Sequence, residues 1–347
     1  MTQQLHWQLI ATFFRQRLRF GPLSLQATQR FSLALFRARA YEELVALLSE
    51  STLRWPKDLF LLECYAQAAL YAQLPALSLS IRAELARLQP DQPTAKLQWL
   101  YLADQLALES VTDELNRYIK RFPLVADAYA LLAARASAVS DHEGVLYALS
   151  RQEELSGTLP LDARLQRARA LFALGEALDA RDELRWLVRR RRRWVEAWSL
   201  LATIELHLEE EDYAELAARR ALRVDPLDGR ANYLLGLICE ERSIQQASLH
   251  YYRSLDANRP VYVSYLGLAR LHQRLREWEA ALKAYQRYLP HARPSEEEEL
   301  RAEIDRLRER LNLDRKKHEE EALTLLPDSA VIDQERLLTE SHEATHD

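Results

Sequence analysis

Residues 195–228, VEAWSLLATIELHLEEEDYAELAARRALRVDPLD, contain the pattern that decides the fold of this chain. Apolar residues recur three and four positions apart in the first half of the stretch, and again in the second half after the acidic residues 209–212. That spacing places each apolar set along one face of an α-helix. Pro226 follows the second set, and proline interrupts a helix because it lacks an amide hydrogen. The stretch predicts two short amphipathic helices followed by a turn.

The pattern recurs along the chain with an almost constant period. Prolines take the same place, after a second amphipathic segment, in five copies, namely Pro56, Pro90, Pro123, Pro226 and Pro260. Copies counted from these prolines begin near residues 25, 59, 92, 126, 161, 195, 229 and 262, which are 33 to 35 residues apart. One helical hairpin cannot bury two apolar stripes by itself, so the copies are predicted to stack and share a core.

The copies resemble the repeats of the tetratricopeptide-repeat family, in which 34 residues form a helix–turn–helix unit. The copy from Val195 has Trp198, Leu201, Ala202, Ala214, Ala218, Ala221 and Pro226 at positions 4, 7, 8, 20, 24, 27 and 32. The copy from Gly229 has Leu235, Gly236, Tyr252 and Pro260 at positions 7, 8, 24 and 32. The copy from residue 92 departs from the pattern, since Trp99 stands at position 8, where the family has a small residue. The resemblance implies a right-handed α-solenoid of about eight repeats.

Composition agrees with an all-α fold. Glycine accounts for only 7 of 347 residues, too few for the turns of a β-rich or α/β protein. Ala, Leu, Glu, Arg and Gln, which favour helices, dominate long stretches. We predict an N-terminal capping helix over 1–24, the solenoid over 25–294, a C-terminal capping helix over 295–320 and an acidic, flexible tail over 321–347.

The sequence carries no motif for catalysis or cofactor binding. It lacks the phosphate-binding glycine loops, the nucleophile elbow and the zinc-peptidase helix motif. The nine histidines show no metal-ligand spacing. Cys64 and Cys239 lie far apart in apolar helical segments and are interpreted as reduced, buried residues. We therefore expect no enzyme activity, cofactor, metal or small-molecule substrate, and a cytoplasmic location.

The family resemblance also indicates where a partner would bind. In tetratricopeptide repeats the first helix lines a concave groove, mainly through positions 2, 5, 9, 12 and 13. In this chain those positions nominate Arg169, Phe172, Thr203, His207, Tyr233, Glu240, Glu241, Arg270, Gln273 and Arg274. Arg and Tyr are common anchors of protein interfaces, and such a groove suits an extended or helical peptide. The resemblance implies a scaffold or adaptor that binds a peptide or protein and helps to assemble a multiprotein complex.

Two basic segments support alternative interpretations. Arg189, Arg190, Arg191, Arg192 and Arg193 form an uninterrupted run beside three tryptophans. The run is either a solvated helix end or a site for RNA or another anionic surface, since arginine pairs with phosphates and stacks on bases. The body of the chain over 1–294 carries a net charge of only +4, which disfavours a dedicated nucleic-acid binder.

The second basic segment is the N-terminal stretch 5–20, LHWQLIATFFRQRLRF. It is aromatic, rich in arginine and free of acidic residues, yet polar residues interrupt it before any apolar run reaches the length of a membrane span. We interpret it as a helix that packs on the first repeat. The alternative is a surface helix that contacts a membrane or a partner.

Overall fold

The computed structural model describes residues 2–324, and all regular secondary structure in this part of the chain is helical. The predicted all-α fold is confirmed. The chain divides into two compact units after Leu174. Unit 1 contains α1 (Thr2–Leu18), α2 (Leu25–Arg37), α3 (Tyr41–Arg54), α4 (Leu59–Tyr71), α5 (Pro75–Leu88), α6 (Pro93–Gln105), α7 (Val111–Arg121), α8 (Ala126–Ala138), α9 (His142–Ser156) and α10 (Leu161–Ala173). Unit 2 contains α11 (Ala177–Arg190), α12 (Val195–His207), α13 (Glu211–Val224), α14 (Gly229–Cys239), α15 (Ile244–Leu255), α16 (Ser264–Arg274), α17 (Trp278–Tyr288), the 3-10 turn Leu289–His291 and α18 (Pro294–Thr324).

Helical hairpins are the building blocks of both units. In unit 1 the pairs α2–α3, α4–α5, α6–α7 and α8–α9 pack as hairpins, and in unit 2 the pairs α12–α13, α14–α15 and α16–α17 do so. The second helix of each hairpin also packs on the first helix of the next, as α13 does on α14 and α15 does on α16. Each apolar stripe is therefore shared between neighbours, which is the arrangement expected of stacked repeats.

Small residues allow the helices of a hairpin to approach closely. In the hairpin α12–α13, Ala202, Ala214, Ala218 and Ala221 are all completely buried, as the repeat pattern predicted. A larger side chain at these positions would have to displace a neighbouring helix, because protein cores have almost no free volume.

The structure corrects the predicted register of two repeats. Tyr252 was assigned to the core position 24, but its side chain is 46% exposed, whereas the neighbouring Tyr251 is completely buried. Trp99 was placed at the crowded position 8, but it is only half-buried, and Leu100 is the completely buried residue. In each case the core pattern is displaced by a single residue. Successive side chains on a helix point about 100° apart, so this displacement turns the neighbouring side chain inward.

The described hairpin turns achieve sharp reversals almost without glycine. Arg39, Gln73, Ala107, Ser140, Glu209 and Arg276 all adopt left-handed backbone conformations with φ between 54° and 62°. The next amide donates to a carbonyl five residues earlier, as Leu108 N does to Ala103 O at 3.1 Å. This is the Schellman arrangement that ends helices, and glycine is the residue that adopts it at least cost. The repeats tolerate residues other than glycine at these left-handed positions because packing between the two helices imposes the turn.

A single aromatic ring fills the crossing point of α14, α15 and α16. Tyr251 of α15 projects between Gly236 of α14 and Gly267 of α16. A methyl group added at either glycine would lie 2.5 Å or less from the nearest atom of the tyrosine ring, which is far inside van der Waals contact. Glycine at these two helical positions is therefore required by the ring rather than by backbone conformation.

The last helix covers the end of unit 2. Leu300, Ile304 and Leu307 of α18 are buried, and α18 packs against α17. The helix continues to Thr324, through the first residues of the stretch predicted as a tail. The remainder of that predicted tail, 325–347, lies outside the described residues.

Replacing Ala107 by glycine should stabilise the protein. Ala107 has φ of 54°, where its Cβ crowds the following carbonyl. Glycine removes that strain at the cost of a more flexible unfolded chain, for a net gain of about 0.5–1 kcal/mol in the free energy of unfolding. Urea unfolding followed by circular dichroism measures the change. Ala83→Gly in the exposed face of α5 is the matched control and should destabilise by a similar amount. A loss of stability in Ala107→Gly would show that the backbone at Ala107 is not strained.

Replacing Gly267 by alanine should destabilise the protein, although alanine favours helices. The added methyl group collides with the Tyr251 ring, and overpacking of this kind costs about 1–3 kcal/mol. The same substitution in a Tyr251→Leu background should cost clearly less, because the ring is gone. Equal costs in the two backgrounds, measured by urea unfolding, would show that the ring is not the obstacle.

Candidate functional site

Eight of the ten nominated groove residues lie on the first helices of the hairpins in unit 2 or directly after them. Thr203 and His207 lie on α12, Tyr233 on α14, and Arg270, Gln273 and Arg274 on α16, while Glu240 and Glu241 follow the end of α14. Arg169 and Phe172 lie on α10 of unit 1. The face formed by α14 and α16 therefore holds most of the nominated residues.

Glu240 is the centre of a polar cluster on this face. Its Oε1 atom accepts a hydrogen bond from Arg270 Nη2 at 2.6 Å and another from the hydroxyl of Tyr251. Its backbone carbonyl accepts a hydrogen bond from Arg274 Nη1 at 2.8 Å. Tyr233 lies beside these groups, with its ring centroid 6.1 Å from that of Tyr251. We call Tyr233, Glu240, Tyr251, Arg270 and Arg274 the Glu240 cluster.

The Glu240 cluster has a buried side and an exposed side. The Glu240 side chain is 17% exposed, while that of Arg270 is 46% exposed. Burial raises the pKa of Tyr233, and burial together with the hydrogen bond to Glu240 raises the pKa of Tyr251. Both tyrosines therefore stay neutral, and the largely shielded Glu240 carboxylate holds the Arg270 guanidinium at the surface. A cation fixed in this way loses little side-chain entropy when it binds a ligand.

The cluster sits at an irregular hairpin turn. The turn between α14 and α15 lacks the left-handed residue found in the regular turns. Glu240, the C-cap of α14, stays in the right-handed region, and Ser243 caps the start of α15. α14 is two residues shorter than α12, and α15 begins one position earlier in its repeat than α13 does, so Ala247, Tyr251 and Ser254 are buried one position earlier. In this arrangement the Glu240 carboxylate accepts the hydrogen bond of the Tyr251 hydroxyl.

Gln273 extends the polar face toward the end of unit 2. Its side-chain oxygen accepts a hydrogen bond from the Tyr285 hydroxyl at 3.2 Å, and its side-chain nitrogen donates to Glu303 Oε1 at 2.9 Å. Glu303 belongs to α18, so the last helix continues the row of first-helix side chains.

Three other nominated residues have different surroundings. The Thr203 hydroxyl donates to Ser199 O of its own helix at 2.9 Å. His207 is exposed at the C-terminal end of α12, and Glu241 is exposed in the turn after α14. These residues border the row of first helices but are not part of the Glu240 cluster.

The arginine run Arg189–Arg193 lies at the end of α11 and in the turn that follows it, and all five side chains are exposed. Two of its guanidinium groups stand over indole rings. Arg190 lies 4.0 Å from the centroid of Trp186, and Arg191 lies 4.7 Å from that of Trp194. Cation–π contacts of this type hold the side chains against the surface.

Metal binding and thiol reactivity depend on which side chains lie together and on the pKa of each thiol. Within residues 2–324 no three His, Cys, Asp or Glu side chains are grouped so that they could hold a metal ion. Burial raises the pKa of the Cys64 thiol to about 11 and also raises that of Cys239, so neither thiol is activated as a nucleophile.

Whether a helix can cross a membrane depends on its length and its apolar character. Between Thr2 and Thr324 no helix combines the length and the apolar character needed to cross a bilayer.

Sequence reasoning missed three residues of this face, namely Tyr251, Tyr285 and Glu303. The one-residue register error placed Tyr252 in the core instead of Tyr251. Its signal in the sequence was the pair Gly236 and Gly267, two glycines inside helices of a glycine-poor chain. Isolated helical glycines often mark a close approach by another group.

Comparison with known proteins supports the fold. No protein-family model matches the chain, and no curated protein matches it in sequence. Among solved structures, the C-terminal part of a TPR repeat-containing protein from Cytophaga hutchinsonii is 11% identical, with a TM-score of 0.55 over 69% of this chain and 99% of that chain. The chain therefore has the fold of tetratricopeptide-repeat proteins, as its repeats indicated.

Two further structures are similar over longer parts of the chain. The Cut9–Hcn1 hetero-tetramer of APC/C gives 16% identity and a TM-score of 0.49. The match covers 81% of this chain and 56% of the matched chain. Yeast Tom70 gives 12% identity and a TM-score of 0.48 over 86% of this chain and 66% of that one.

The buried Tyr251 hydroxyl should make stability fall at alkaline pH. Its pKa is raised in the folded state, so the unfolded chain releases this proton first and unfolding becomes more favourable as pH rises above the ordinary tyrosine pKa of about 10. From about pH 9 to about pH 11 the free energy of unfolding should fall by about 1.4 kcal/mol more in the wild type than in Tyr251→Phe. Urea unfolding at both pH values measures this, and Tyr147→Phe, at an exposed position, should leave the decline unchanged. Identical declines in wild type and Tyr251→Phe would contradict the assignment.

Proposed function

We propose that this chain is a non-catalytic scaffold or adaptor, which binds a peptide or protein partner along the first helices of its repeats. The observation that carries the proposal is the Glu240 cluster, where the largely shielded Glu240 carboxylate holds Arg270 at the surface of α16 beside Tyr233 of α14. Arginine and tyrosine are the side chains most often found to anchor protein interfaces. Within unit 2, the wider groove includes the nominated residues of α12 and the remaining ones of α16, while Arg169 and Phe172 of α10 are a separate candidate surface of unit 1.

The partner segment is expected to be an extended or helical peptide. Neighbouring first helices present their side chains in parallel rows, and such a surface suits a ligand that follows several repeats in succession. Arg270 offers hydrogen-bond donors, Tyr233 offers an aromatic face, and Glu241 offers an exposed acceptor on the adjoining turn. The complex would form in the cytoplasm and contribute to the assembly of a larger machine.

The second candidate function is binding of RNA or another anion by Arg189–Arg193. Five consecutive exposed arginines at the end of α11 and in the following turn support it. The stacking of Arg190 on Trp186 and of Arg191 on Trp194 weakens it, because these indole faces are already covered by guanidinium groups and offer less area to a base. We therefore favour the protein-binding function.

An affinity pull-down with three sets of variants distinguishes the two functions. In the groove set, Tyr233→Ala with Arg270→Ala should weaken capture of the partner by about tenfold or more, since two anchors are lost. Glu241→Ala with Arg274→Ala provides a second groove variant that leaves the Arg270–Glu240 ion pair in place. In the matched control, Arg223→Ala with Lys283→Ala removes two exposed cations from the second helices α13 and α17 and should leave capture unchanged.

The third set changes Arg189–Arg193 to serine. Loss of one protein partner with both groove variants, but not with the serine variant or the control, is the expected result. Circular dichroism and urea unfolding of each variant show whether the fold is retained. Capture of nucleic acid that is lost only with the serine variant, and that weakens steeply with salt, would replace the scaffold function by the second candidate.

A further inference from the structure

The first helix has two apolar faces, and only one of them is packed. Trp7, Ile10, Ala11 and Phe14 of α1 face the first hairpin, and Ala11 is completely buried. Phe14 stacks on Phe31 of α2 with their ring centroids 5.5 Å apart. This inner face attaches α1 to unit 1, so the orientation of the helix on the unit is fixed.

The opposite face of α1 carries an exposed apolar stripe. Leu5, Leu9 and Phe13 are spaced by four residues and are 56%, 70% and 62% exposed. Phe20, just beyond the end of the helix, is 84% exposed. We call these four residues the outer stripe. Isolated apolar side chains are common on protein surfaces, but a continuous row of large ones marks an interaction surface.

Positive charge accompanies the outer stripe. Residues 1–41 contain six arginines and no aspartate or glutamate. Arg17 continues the four-residue spacing of the stripe, and Arg19 directly precedes Phe20; both side chains are exposed. Arg15 forms an ion pair with Glu43 of α3, with Nη2 and Oε2 2.7 Å apart, and so faces the body of the unit. Exposed arginines therefore stand at one end of the apolar row.

We propose that α1 docks on an anionic lipid surface through the outer stripe. The helix would lie parallel to the membrane, with the four apolar side chains in the boundary between headgroups and acyl chains. Arg17 and Arg19 would contact lipid phosphates, since the charge of an anionic leaflet attracts basic residues next to an inserted apolar face. A second copy of this chain fits less well, because pairing two outer stripes would bring their arginines together.

Vesicle co-sedimentation of the full chain tests this proposal. Vesicles of phosphatidylcholine mixed with phosphatidylserine should bind the wild type, and added salt should weaken that binding. Leu5→Ser, Leu9→Ser and Phe13→Ser together should reduce binding by about tenfold or more, since three apolar side chains no longer insert. Arg17→Gln with Arg19→Gln should reduce binding to the anionic vesicles by about tenfold.

Two control variants match these changes elsewhere on unit 1. Leu53→Ser, Leu124→Ser and Val139→Ser together remove three exposed apolar side chains, and Lys57→Gln with Lys120→Gln removes two exposed cations. Both controls should bind vesicles like the wild type. Circular dichroism confirms that all variants are folded.

Several results would overturn the proposal. If the wild-type protein stays in the supernatant with anionic vesicles, α1 has no lipid-binding surface. Equal binding to pure phosphatidylcholine excludes the role assigned to the arginines, and unchanged binding of the Leu5, Leu9 and Phe13 variant excludes the outer stripe. A dimer in sedimentation velocity that disappears with this same variant would assign the stripe to contact between two copies.

Discussion

The fold depends on one packing constraint, which is that each helical hairpin has more apolar surface than it can bury within itself. In the hairpin α12–α13 the inner contacts are made by alanines such as Ala202 and Ala218, which bring the two helices close together. The outward stripe of the second helix is then left for the next hairpin, as α13 packs on α14. Every repeat in a unit is thus stabilised by its neighbours, and the row of first helices is a consequence of that stacking.

The same constraint explains how so few glycines suffice. Residues such as Arg39 and Gln73 occupy left-handed positions at which glycine would be easier to accommodate. Side-chain packing on both sides of the turn fixes the angle between the helices, so each turn only has to follow it. The strain at each turn is of the order of 1 kcal/mol, smaller than the free energy gained by burying a few large apolar side chains.

The sequence predicted the repeat fold well because the period, the prolines and the small residues all depend on local spacing. It predicted the candidate site less well because that site lies at an exception to the period. α15 begins one position earlier in its repeat than α13 does, so Tyr251 rather than Tyr252 enters the core. A fixed alignment cannot show such a slip. It also cannot show that Gln273 meets Glu303, since α18 lies beyond the last repeat and has no equivalent position in the alignment.

The irregular turn also explains why polar groups gather at this place. α14 ends at Cys239, and no left-handed residue follows it in the turn. The Glu240 carboxylate lies against the Tyr251 hydroxyl, and a carboxylate that is largely removed from water needs strong hydrogen-bond donors. Arg270 from the next repeat supplies one of these donors and is held in a single orientation as a result. The proposed function would link stability and recognition here, because the contact that satisfies Glu240 is also the one that orients Arg270.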